Sequence, residues 1–146
     1  MDLQDMVRYA TLAALGVGIW TLWAEGRATR AQMNVELFLA FTQRYEQLMR
    51  ESPIAFRKWR LDTDGACPEV TEEVRTSLLA YLNLCSEEYY LRRHRYLDAA
   101  IWSIWEHELV RTLGSDLVQS EWPRMRIEFE SFNEFCEFVE TAQHRR

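Results

Sequence analysis

Residues that interrupt helices are scarce in this sequence, with 5 glycines and 3 prolines among 146 residues. That scarcity excludes a collagen-like or low-complexity chain, and a hydrophobic content of 48% argues against disorder. The three cysteines, Cys67, Cys85 and Cys136, are odd in number, widely spaced and outside any CxxC or Cys/His ligand pattern. They predict no disulfide framework and suit a reducing compartment. Basic charge is also in short supply, with 17 Lys and Arg against 23 Asp and Glu and a formal net charge of −6. A sequence-independent grip on nucleic-acid phosphates is therefore not expected, and no nucleic-acid partner is assigned. GxSxG, a Gly-rich phosphate loop and GxGxxG are missing too.

What is present begins with an uncharged run, Tyr9 to Ala24. Extended back through Met6 it gives 19 residues, roughly 28 Å of helix at the standard rise. A bilayer hydrocarbon core is about 30 Å thick. Tyr9, Trp20 and Trp23 lie towards the ends of the run, where amphipathic rings favour the interface, and Arg27 and Arg30 follow as basic anchors. The sequence thus predicts a membrane-anchor helix over residues 1–26 and a helical domain over 27–146. A cleaved signal peptide fits less well because the start of the chain is not basic, and a buried helix is the other alternative for so short a run. Arg8 stands alone before the run, so the positive-inside tendency places the domain in the cytoplasm. Residues 1–34 carry three basic and three acidic side chains, which leaves the whole net charge to the later body.

Beyond Gly26 the pattern is helical throughout. Leu37, Phe38, Phe41, Tyr45, Leu48 and Met49 recur at i, i+3, i+4 spacing. Ser52-Pro53 reads as an N-cap followed by proline at the first helical position of a short helix with Phe56 and Trp59. Asp62 to Pro68 is the clearest loop. Thr71 with Glu72 and Glu73 starts a helix predicted to run to about Arg95, burying Val74, Leu78, Leu82, Cys85 and Tyr89. Asp98 caps the next, with Ile101, Trp102, Ile104, Trp105, Leu109 and Leu113 apolar and Gly114 as its stop. Ser115 starts a short helix, Pro123 interrupts or initiates one, and Ser131 with Glu134 reads as a capping box. No strand pattern competes. The expected fold is all-α, an N-terminal transmembrane helix continuing into an irregular four-to-six-helix cytoplasmic bundle.

Side chains able to do chemistry are few. Glu106-His107-Glu108 lies inside a helix, where three consecutive side chains diverge and cannot share one metal. The Arg-to-His spacing of helical HEPN ribonucleases is absent before His94, His107 and His144 alike. Cys85 and Cys136 sit on apolar faces and read as buried small hydrophobes. No catalytic residue, metal site or cofactor is assigned. The polar cluster that stands out is Asn83, Glu87, Glu88 and Arg92. Asn83 and Glu87 share a helical face, and Glu88 and Arg92 are spaced to pair at i, i+4. Two readings apply to it: a site between helices for a small ligand or partner, or a structural network joining Glu87 to a neighbouring arginine, which is favoured.

Phe41-Thr42-Gln43-Arg44-Tyr45, Tyr81-Leu82-Asn83-Leu84-Cys85-Ser86-Glu87-Glu88, Trp102 with Trp105, and Trp122 with Phe132, Phe135 and Phe138 together resemble a loose group of uncharacterised bacterial proteins. Those proteins have one N-terminal span and a small helical cytoplasmic domain. The resemblance covers most of the chain and implies a single-pass module of the bacterial inner membrane, with no substrate attached. Aromatic richness without a catalytic constellation leads to an expected non-enzymatic scaffold that docks a protein partner or forms a homo-oligomer. A membrane-acting effector of toxin or phage-defence type, oligomerising through its span, is one alternative. A ligand-sensing domain built on the Glu87 region is the other.

Overall fold

A computed structural model of the chain describes residues 3–62 and 65–144, with side chains from residue 14 onward. Six α-helices and one 3-10 turn account for most of the described residues, and no strand occurs among them. They are α1 (Leu3–Glu51), α2 (Ile54–Leu61), α3 (Glu72–Arg93), α4 (Ala99–Leu113), α5 (Asp116–Met125), the 3-10 turn Arg126–Phe129 and α6 (Asn133–Gln143). The all-α expectation holds.

Local chemistry sets most of the boundaries. Without a proline before Pro53, α1 continues to Glu51, and the Ser52 hydroxyl then donates to the Leu48 carbonyl at 2.7 Å. Ser52 therefore closes α1 and does not cap α2, whose N-cap is Pro53 with its carbonyl accepting the Arg57 N–H. Thr71 caps α3 by accepting the Val74 N–H at 3.3 Å, and Asp98 caps α4 by accepting that of Ala100 at 2.7 Å. At the end of α3 the Tyr96 N–H bonds the Leu91 carbonyl and the Arg95 N–H bonds that of Arg92, a Schellman closure. Arg95 takes φ 60° there, a position glycine usually fills, so α3 stops at Arg93. The capping box on Ser131 and Glu134 does not form. Phe132 occupies the N-cap of α6, and the Glu134 carboxylate accepts from Arg93 at 3.3 Å. Pro123 lies inside α5, which passes two residues later into the 3-10 turn.

The chain divides into two compact units, Met1–Leu37 and Phe38–Arg146. The second has a continuous core in which Phe56, Leu78, Leu82, Leu113, Leu117, Val118, Phe135 and Val139 are fully buried. Phe135 is its aromatic hub, with ring centroids of Phe129 at 5.3 Å, Tyr89 and Phe132 at 6.0 Å and Trp122 at 6.4 Å. Offset and edge contacts of this kind add to what burial of the rings already contributes. Gly114 brings the end of α4 against α6, where a Cβ would meet the Ala142 carbonyl at 3.1 Å. Arg75 ties α3 to α5 through Glu121 at 2.8 Å. Ile104 departs from the apolar pattern, being 63% exposed, and Tyr89 is only half-buried.

The first unit is the N-terminal part of α1. Its apolar side chains Leu15, Val17, Ile19, Trp20, Leu22 and Trp23 are all more than half exposed. Trp20 and Trp23 lie with ring centroids 5.5 Å apart, and the Arg27 guanidinium rests over Trp23 at 5.4 Å. Among the described residues no helix is long and apolar enough to cross a membrane. The expected anchor extends back to residue 6, and its side chains through residue 13, Tyr9 included, lie outside the described residues. In the part that is described, Gly16, Gly18, Thr21 and two tryptophans dilute the aliphatic content.

Candidate functional site

A cleft of about 370 Å³ opens in the Phe38–Arg146 unit among four helices. The C-terminal part of α1 contributes Phe41, Thr42 and Tyr45, and α2 contributes Arg60 and Leu61. From α3 come Tyr81, Leu84 and Glu88, which share one face at spacings of three and four. Trp105, Glu108, Leu109 and Arg111 complete it from α4. In the aromatic wall the Trp105 ring lies against both Phe38 at 5.8 Å and Phe41 at 5.6 Å.

Arg60 is the unusual member. Phe56 and Arg60 are four residues apart on a two-turn helix, so packing Phe56 into the core turns Arg60 inward as well. Its side chain is only 9% exposed. The guanidinium lies over the rings of Tyr81 at 5.1 Å and Tyr45 at 5.7 Å. Its Nε has no hydrogen-bond partner among the described residues, and the one carboxylate within ion-pair range, Glu108, stands at 3.8 Å. Burial presses the Arg60 pKa down, but Tyr81, Tyr45, Cys85 and Glu108 outweigh it, so the group stays a cation. A buried charge without good hydrogen bonds is costly, and such sites call for an explanation.

The two neighbouring carboxylates of α3 have opposite fates, because successive helical side chains diverge by about 100°. Glu87 points outward and makes a two-pronged ion pair with Arg44, whose second contact is 2.9 Å. That pairing holds Glu87 below the usual carboxylate range. Glu88 turns into the cleft, where burial raises its pKa to about 7 against the pull of Arg60 and Arg44. Glu108 differs again, since Arg111 bonds it at 2.6 Å and keeps it low. Burial, with Cys85 beside it, pushes the Tyr81 hydroxyl well above its usual pKa against the pull of Arg60 and of the Thr112 hydrogen bond, so it stays protonated.

Of the four polar residues singled out in sequence, only Glu88 lines the cleft, and Glu87 sits beside it in a structural pair with Arg44. Asn83 is exposed, its carbonyl accepting the Ser86 hydroxyl, and Arg92 is half-buried away from the cleft lining. The i, i+4 pair of Glu88 and Arg92 is not among the ion pairs formed. Sequence reading missed Arg60, Glu108 and Arg111. For Arg60 a signal existed, an arginine at the i+4 position of a buried phenylalanine. Among the described residues no group of His, Cys, Asp and Glu is arranged to hold a metal ion. Comparison with family models, curated proteins and solved structures gives no match to this chain.

Proposed function

We propose that the Phe38–Arg146 unit is a non-catalytic helical domain that binds a small organic ligand in the cleft between α1, α2, α3 and α4. The observation that carries this reading is the cleft itself: aromatic walls of adequate volume with a few charged groups converging on them, the usual make-up of a small-molecule site. Of the three functions expected from sequence, the ligand-sensing one gains most. The aromatic richness behind the scaffold reading is largely spent inside the domain, where Phe56, Trp59, Trp102, Trp122, Phe129 and Phe135 are buried. Support for a membrane tether comes from the exposed apolar side chains of the first unit, Leu15 to Trp23, followed by Arg27 and Arg30. A sensor domain tethered in this way would report ligand to partners at the bilayer.

The test is a thermal-shift screen of the full chain against neutral, cationic and anionic aromatic molecules, repeated on Thr42→Trp, which fills the rim of the cleft. A saturable rise in melting temperature that Thr42→Trp abolishes supports the reading. No shift from any chemical class, or one that survives Thr42→Trp, contradicts it. Flotation of the full chain with liposomes, lost in a Trp20→Glu, Leu22→Glu variant, tests the tether separately.

A further inference from the structure

We infer that the ligand is a small organic monocarboxylate with a flat apolar body, its head group held by Arg60 and its body lying against Trp105 and Phe41. This inference rests on the reading of the cleft as a ligand site and adds the chemical class. Arg60 is more than nine-tenths buried in its side chain, lines the cleft, has an Nε without a hydrogen-bond partner among the described residues, and meets its carboxylate neighbour Glu108 only at 3.8 Å. A guanidinium is a planar fork matched to a carboxylate, and each charge-assisted bond it makes is roughly twice as strong as a neutral one. The neighbouring cation, Arg111, is already committed to Glu108 at 2.6 Å, which leaves Arg60 as the anchor.

A cationic ligand group is disfavoured by the same geometry. Arg60 and Arg111 both line the cleft, and Glu108 is shared between them. A dianionic phosphate is disfavoured as well, because Glu88 and Glu108 stand in the same wall. A single negative charge balances Arg60. The aromatic side chains offer faces at fixed angles, with the Trp105 and Phe41 rings inclined at 46° and 5.6 Å apart, so a flat body has a surface to lie on.

Glu88 makes the binding depend on pH. The charged groups around it are Arg44 from α1, Arg60 from α2, Glu87 on α3 itself, and Glu108 and Arg111 from α4. A carboxylate placed on Arg60 offsets the cation that favours ionised Glu88, so ligand binding raises the proton affinity of Glu88. A protonated Glu88 also donates a hydrogen bond that an ionised one cannot. Binding therefore takes up a proton, and affinity falls as pH rises through the neutral range.

The experiment is titration calorimetry of the full chain with three molecules of one shape, indole-3-acetate, indole-3-acetamide and tryptamine, at pH 6 and pH 8.5. The acetate is expected to bind at least about tenfold more tightly than the amide at pH 6, with tryptamine weaker still. Arg60→Lys, which keeps the charge but loses the fork, removes that preference while leaving the amide unchanged. Glu88→Gln binds the acetate more tightly than the native chain at pH 8.5 and no longer depends on pH, a gain that misfolding cannot produce. Equal or tighter binding of the amide or of tryptamine overturns the monocarboxylate assignment and leaves the cleft as a ligand site. Failure of all three to bind overturns both.

Discussion

The Arg60 guanidinium and the Glu108 carboxylate face each other at 3.8 Å, beyond hydrogen-bond reach, while Arg111 holds the same carboxylate at 2.6 Å. The better-exposed arginine thus takes the acid, and the buried one is left with the faces of two tyrosines. A domain selected for stability alone would do better with an apolar residue at position 60, since replacing a poorly paired buried charge by a hydrophobic group is often neutral or stabilising. On the proposed reading, the charge at position 60 is what makes the aromatic cleft selective.

Glu88 should make stability depend on pH in a predictable direction. Its folded-state pKa, about 7, lies above its ordinary value of 4.5. Below the ordinary value both states are protonated and the group contributes nothing. As pH rises through 4.5 towards 7 the unfolded chain loses its proton first, so stability falls, by at most about 3 kcal/mol once both states are ionised. Glu88→Gln is expected to match the native chain in chemical denaturation near pH 4.5 and to exceed it above pH 7.5. Parallel profiles for the two proteins would contradict the burial of this carboxyl.

Arg44 and Glu87 should contribute far less. Both side chains are about half exposed, which limits such a pair to roughly 0.2–1 kcal/mol whatever its geometry. Because Glu87 is held below its usual pKa, that contribution is present above pH 4.5 and disappears as pH falls through the depressed value. A double-mutant cycle with Arg44→Ala and Glu87→Gln measures it. A coupling above about 2 kcal/mol would show that the pair is more central than its exposure allows.

Arg95→Gly is expected to stabilise the domain. The residue adopts φ 60° in the closure of α3, a conformation that costs a side-chain-bearing residue about 1–2 kcal/mol and glycine almost nothing. Glycine's greater unfolded-state freedom offsets part of this, so the net gain should be about 0.5–1 kcal/mol by urea denaturation. A loss of stability would mean that the Arg95 side chain makes a compensating contact.

Thiol reactivity should divide the cysteines. Burial pushes all three thiols up, but Cys85 and Cys136 are only 1% and 0% exposed, whereas Cys67 is exposed in the loop before α3. An aromatic disulfide reagent should modify Cys67 alone in the native protein and all three residues in guanidinium chloride. Rapid native modification of Cys85, which lies beneath the cleft beside Tyr81, would show that the core opens there.

Sequence alone revealed what depends on neighbours along the chain. The helical content, the caps at Thr71 and Asp98 and the stop at Gly114 follow from local hydrogen bonding and periodicity. Ser52 and Ser131 were misread because a serine next to a helix end can bond backwards or stay out, and tertiary packing decides which. The cleft was half legible. Glu87 and Glu88 stood out as a polar patch, but which of them faces inward depends on where α1 and α4 pack. Arg60 was hidden because arginine in a short helix normally faces water, and only its phase with Phe56 shows otherwise.

The most direct measurement is a two-dimensional NMR titration of the full chain with indole-3-acetate, following the six tryptophan indole N–H signals and the arginine guanidinium signals. The Trp105 indole and the Arg60 guanidinium are expected to move together and saturably, while Trp59 and Trp122, buried in the core, stay in place. Movement confined to Trp20 and Trp23, or a Trp105 signal unaffected at saturating ligand, would contradict it.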